Sequence, residues 1–162
     1  MKFPSSPAKL SKLLNEHIIL MHDDDVTIRL EAQLHELGHI ATLRPDNQDD
    51  LLSSLSEEHH VGGAINNEGK QDSAHHECLA SAIAILIARE VCPSAAQAIQ
   101  AYAEGNLRMN TPKAFTFRGT PVRGSADPVG YMNKLLVSPA TQKRAHRIMK
   151  KVLSALEESL EG

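Results

Sequence analysis

Tryptophan is absent from this 162-residue chain, and three phenylalanines and two tyrosines complete its aromatic content apart from histidine. Sheet-rich domains draw on aromatic and β-branched side chains, whereas alanine, leucine and isoleucine, plentiful here, favour helix. The scarcity argues against a β-sandwich. Cysteine is also scarce. Cys78 and Cys92 fall in and at the end of one helical run, which makes no disulfide framework and reads as two reduced, buried thiols of a cytoplasmic protein. No apolar run reaches the length of a membrane span, and the start, Phe3-Pro4-Ser5-Ser6-Pro7, has no apolar stretch of a signal peptide. Neither sign of charge dominates: 17 Lys and Arg face 20 Asp and Glu, for a net charge of −3. Nothing in that balance drives the chain toward nucleic acid or an anionic membrane.

Histidine is what the chain has in excess, with nine residues in clusters. The length suits one hydrophobic core, so a single, mainly α-helical domain is expected, behind a loose arm of residues 1–5. Ser6-Pro7 opens a first helix, with Leu10, Leu13, Leu14, His17, Ile18 and Met21 at helical spacing. The acids of His22-Asp23-Asp24-Asp25 suit the N-terminus of a second helix, expected over about 25–42 and apolar nearly all round. Arg44-Pro45 ends it. Residues 49–58 suggest a short helix and 59–72 a loop. Ser73 caps an apolar helix over 74–91 that Pro93 stops. Ser94, with Gln97 as its capping-box partner, opens another that Gly105 is expected to end. Residues 106–137 read as the least helical part, with a short strand or hairpin around Phe115-Thr116-Phe117. Ser138-Pro139 starts a final helix striped by Ile148, Val152, Leu156 and Leu160.

The pattern that carries chemistry is His35-Glu36-Leu37-Gly38-His39, an H-E-x-x-H sequence inside the second helix. Residues i and i+4 stack on one helix face, so two imidazoles can converge on one ion. Glu36 points about a quarter-turn away, where it reaches a metal-bound water without ligating the metal. Zinc lowers the pKa of such a water toward about 7, and the glutamate acts as general base. Two histidines and a glutamate on a mostly apolar helix would otherwise be costly to bury.

Leu34-His35-Glu36-Leu37-Gly38-His39-Ile40 resembles the active-site helix of the zincin metallopeptidases. In the gluzincin branch a second helix supplies a glutamate as third ligand, followed by small residues, and His76-Glu77-Cys78-Leu79-Ala80-Ser81-Ala82 looks like that element. The metzincin continuation, a third histidine soon after a glycine, is missing after His39. The resemblance implies a zinc-dependent hydrolase acting on a peptide or protein substrate, with His35, His39 and Glu77 as ligands and Glu36 as catalytic base. It also implies a β-sheet ahead of the active helix, its edge strand aligning the substrate. No such sheet is legible here.

Glu77 has independent support. It lies in the first turn of its helix, where the dipole favours a negative charge. Ala80, Ser81, Ala84 and Ala88 follow on the same face as small side chains that let two helix backbones approach. A solvent-facing acid is the plainer reading of the same residue. His76 and then His75 rank behind it as third ligand, and either could instead stabilise an oxyanion, as could Tyr131 or, less well, Tyr102. Glu57-Glu58-His59-His60 and His22-Asp23-Asp24-Asp25 have the ingredients of cation sites but read more simply as a polar loop and as helix N-terminal charges. Lys143, Arg144, Arg147, Lys150 and Lys151 read as a solvated helix face balanced by Glu157, Glu158 and Glu161. The alternative to an enzyme is a non-catalytic regulatory or binding module that keeps a structural zinc on the same helix pair.

Overall fold

The computed structural model describes residues 3–17, 21–44, 46, 48–49, 74–110, 116–117, 120–121 and 127–161. The fold is mainly α-helical. Helix α1 spans Pro7–His17, α2 Val26–Ala41, α3 Ala74–Val91, α4 Pro93–Asn110, α5 Pro128–Leu136 and α6 Pro139–Glu161. Between α4 and α5, β1 (Thr116–Phe117) pairs antiparallel with β2 (Thr120–Pro121), Thr116 opposite Pro121 and Phe117 opposite Thr120. Among the described residues no strand precedes α2.

Local chemistry sets the ends of the helix pair that matters. Asp25 caps α2, its carboxylate accepting from the backbone N–H groups of Thr27 at 2.9 Å and Ile28 at 3.0 Å. At the far end Thr42 Oγ1 donates to the His39 carbonyl at 2.7 Å. α3 stops at Val91 because Pro93 has no N–H to continue it, and Pro93 then serves as the first residue of α4.

α3 is the central helix, packed against α2, α4, α5 and α6. One side of it, with Leu79, Ile83, Ala84, Ile87 and Ala88, joins Leu30, Leu34, Leu37 and Ile40 of α2, Leu10 and Leu14 of α1, and Ile148, Val152 and Leu156 of α6. The opposite side, with Cys78, Ala82 and Ile85, packs on Ala103 and Leu107 of α4 and Met132 and Leu136 of α5. Both cysteines are buried and free. No described helix is long and apolar enough to cross a membrane.

Rotation of α2 about its axis is fixed from the α1 side. Ser11 Oγ donates to Gln33 Oε1 at 2.7 Å, Gln33 Nε2 donates back to the Ser11 carbonyl at 3.1 Å, and Arg29 Nε donates to Ser11 Oγ at 2.7 Å. With Gln33 held toward α1, the His35 and His39 face turns toward α3.

Three expectations need correction. Gly105 does not end its helix. A Cβ there would meet nothing within 4 Å, and burial of Leu107 two residues on outweighs the glycine's cost of about 1 kcal/mol. The stretch read as least helical contains α5, started by Asp127 accepting from Gly130 N at 3.0 Å and by Pro128 at its first position. The N-terminal arm is anchored at Phe3, which packs against the main core. The short helix and loop expected over 49–72 lie almost wholly outside the described residues.

Candidate metal centre

α2 and α3 cross in backbone contact at Gly38. A Cβ on that glycine would overlap the Ala80 carbonyl oxygen and lie 2.7 Å from Ala80 Cα. Only glycine permits this approach, and it is what brings the first turn of α3 over the histidine face of α2. There Glu77 Oε2 lies 3.1 Å from His35 Nε2, Glu77 Oε1 lies 3.2 Å from His39 Nε2, and the two Nε2 atoms are 3.1 Å apart. One ligand atom from each of the three residues lies within 4.8 Å of the other two.

The donor set fits a divalent ion. Ligand atoms about 2.05 Å from a tetrahedral zinc stand roughly 3.3 Å from each other, and each Nε2 lies near that distance from the other and from its own oxygen of Glu77. Protons satisfy the same triangle poorly. If both Nε2 atoms carry hydrogen, each donates to its own Glu77 oxygen, with the two N–H groups crowded side by side at 3.1 Å. If one does not, its lone pair meets the carboxylate. With both Nε2 atoms as ligands, the hydrogens reside on Nδ1, and His35 Nδ1–H then donates to Ser81 Oγ at 3.1 Å. His39 Nδ1 is buried with no partner among the described residues.

Charge follows geometry. Burial alone would raise the Glu77 pKa, but hydrogen bonds from His35 and His39 outweigh it and hold the carboxyl at about 2, down from 4.5. Burial likewise opposes protonation of His35, and the hydrogen bond to Glu77, with the charges of Glu77, Glu31 and Glu36, raises its pKa nonetheless. Side-chain exposure falls from 32% at Glu77 and 18% at His35 to 6% at His39, so the centre opens at its His35 end. Glu36 is half-buried, and no described side chain is hydrogen-bonded or ion-paired to it.

The other candidates fall elsewhere. His75 Nδ1 shares a 2.7 Å hydrogen bond with the Tyr131 hydroxyl of α5, and the His76 ring lies edge-on to His75, so neither histidine belongs to the ligand triangle. Tyr102 is 39% exposed on α4. The acids before α2 serve its N-terminus, since Asp25 is the cap and Asp23 Oδ1 accepts from Asp25 N at 2.9 Å. Glu57, Glu58, His59 and His60 lie outside the described residues. On α6, Lys143, Arg144, Arg147 and Lys150 are exposed, while Lys151 Nζ pairs with Asp49 at 3.0 Å. Cys78 is inert: burial, with the negative charges of Glu77 and Asp127, pushes its thiol up to about 12.

Two contributions escape a reading of the sequence alone. Ser81 reads as a spacer in a small-residue ridge, yet its hydroxyl meets the His35 ring. Glu31 is a buried carboxylate near the centre, visible in sequence only as an acid four residues before His35. Comparison with family models, with curated proteins and with solved structures gave no match.

Proposed function

We propose that this protein is a metal-dependent hydrolase, of which zinc is the best-suited ion and a peptide the substrate best matched to its residues. The observation that carries the reading is the convergence of His35 Nε2, His39 Nε2 and the Glu77 carboxylate, from two helices, on one point. A divalent cation bound there supplies Lewis acidity toward a carbonyl and makes water a better nucleophile near neutral pH.

The chain's own groups do the rest. Ser81 Oγ, able to accept from Nδ1–H, orients the His35 ring with Nε2 toward the centre. Glu36 accepts a proton from the attacking water as the oxygen bonds to the carbonyl carbon. It returns that proton to the amide nitrogen as the C–N bond breaks, giving a carboxylate and an amine. Its half-buried position and lack of a described partner suit both halves of that task. Among the described residues no strand precedes α2, and the peptide class rests on the H-E-x-x-H resemblance.

The Gly38–Ala80 backbone contact favours a second reading, in which the ion chiefly ties α2 to α3. Glu36→Gln separates the two. The hydrolase reading predicts unchanged zinc content with turnover of a casein or peptide-library substrate reduced by a factor on the order of 10² to 10⁴. Full turnover in that variant would reject Glu36 as base.

A further inference from the structure

Beside the centre lies one carboxylate that neither holds the ion nor moves the proton. Glu31 stands one helical turn before His35 on α2, so Glu31, His35 and His39 share a face at positions i, i+4 and i+8. The residue is 4% exposed. Burial, with the charges of Glu36 and Glu77, pushes its carboxyl above the ordinary carboxylate range, against the opposing pull of His35 and the Asn106 hydrogen bond. Among the described residues its one hydrogen bond comes from Asn106 Nδ2 of α4 at 3.4 Å, a neutral donor at long range. No described lysine or arginine is ion-paired with Glu31, Glu36 or Glu77.

A buried carboxylate without a cation is costly, and an apolar residue would fill this helix position at lower cost. The location of the cost is informative. Glu77 and His35 are the more exposed members of the centre, and Glu31, itself buried, lies one helical turn beyond His35 with the exposed Asn106 against it. A ligand arriving there meets two carboxylates and an amide and no described cationic side chain. Three carboxylates around one divalent ion leave a negative charge at this mouth while the histidines are neutral.

We infer that Glu31, with Asn106, forms a subsite at the mouth of the centre that takes a primary ammonium group of the ligand. This rests on the reading of His35, His39 and Glu77 as a cation site. An ammonium carries three donors. The Glu31 carboxylate oxygens accept from it, and so does Asn106 Oδ1, whose amide nitrogen already points to Glu31. Charge-assisted hydrogen bonds out of bulk water are strong enough to discriminate about tenfold or more against a neutral isostere. The ammonium can belong to a free α-amino terminus or to a lysine-like side chain.

Calorimetry on the zinc-loaded full chain tests this with hydroxamates, which seek the ion whatever else they carry. Glycine hydroxamate against N-acetylglycine hydroxamate probes the α-amino source. 6-Aminohexanehydroxamate against hexanehydroxamate probes the side-chain source. The expected result is a preference of at least about tenfold for the amine in one pair, falling to within about twofold in Glu31→Gln. Asn106 is exposed, so Asn106→Leu folds in any case, and it should cut the preference several-fold. No preference in either pair, or one that survives both substitutions, overturns the subsite. Zinc content measured on the same samples separates the two claims. A wild-type chain that takes up zinc but ignores the amine refutes only the subsite, and one that takes up no zinc refutes centre and subsite together.

Discussion

Ser81 Oγ lies 3.1 Å from His35 Nδ1 in a ridge otherwise built of alanine, and at that position a hydroxyl has one partner worth having. Replacing it with alanine improves helix propensity slightly and leaves the ridge small. Ser81→Ala should therefore keep the fold while weakening zinc binding about tenfold, as measured by competition with a chelator. Affinity equal to wild type would mean that the serine does not orient the ring. The centre's pH behaviour also belongs to single residues. In the zinc-free protein Glu77, held at about 2 against an ordinary 4.5, stabilises the fold above pH 4.5, and this is lost as pH falls toward 2. His35 has the opposite sign. Its raised pKa gives stability fully present below 6.5 and lost as pH rises through the folded value. Zinc must displace that proton, so its stabilising effect should grow as pH rises through and above 6.5. Melting curves with and without zinc between about pH 5.5 and 8.5 check this. A zinc-induced shift in Tm that shrinks over that range would contradict the assignment of His35 as ligand.

At the scale of elements, the centre exists because α2 and α3 touch at Gly38 and Ala80. Gly38→Ala forces a methyl group against backbone rather than against a yielding side chain, so the helices must separate. Such overpacking costs about 1–3 kcal/mol, readable as a lower urea midpoint. The same separation draws Glu77 from the histidines, so zinc affinity should fall with stability. A variant as stable as wild type would show that the contact is looser than described. Here too lies the difference between what the sequence discloses and what it conceals. The α2 and α3 ranges were legible because apolar periodicity, an acidic cap and a proline stop act locally. The place of Glu77 beside the two histidines was legible because a first-turn acid followed by small residues is a pattern along one helix. Continuation of α4 through Gly105 was not, since it depends on Leu107 finding a pocket between α3 and α5. α5 is less legible, although Asp127-Pro128 is the same kind of start as Ser138-Pro139. Its apolar face has meaning only once Cys78, Ala82 and Ile85 are known to need a cover. The Glu31–Asn106 pair joins residues on α2 and α4 and leaves no local trace.

At the scale of the molecule, α3 is covered on both sides, and the two apolar clusters around it owe nothing to a metal. Removing zinc with a chelator should therefore lower Tm while leaving the helical circular dichroism at 20 °C nearly intact, on the order of 90% or more, because hydrophobic burial carries the fold. Collapse of the helical signal would favour the reading in which the ion mainly ties α2 to α3. The central claim is narrower than any reaction: His35, His39 and Glu77 jointly bind one divalent ion. Zinc K-edge absorption on the purified, zinc-loaded chain, with stoichiometry from elemental analysis, tests it most directly. The account predicts one zinc per chain, with two imidazole nitrogens and carboxylate oxygen at about 2.0–2.2 Å, and loss of that site in His35→Ala, His39→Ala and Glu77→Ala. Equal zinc content in wild type and all three variants, or a first shell without imidazole, would contradict it.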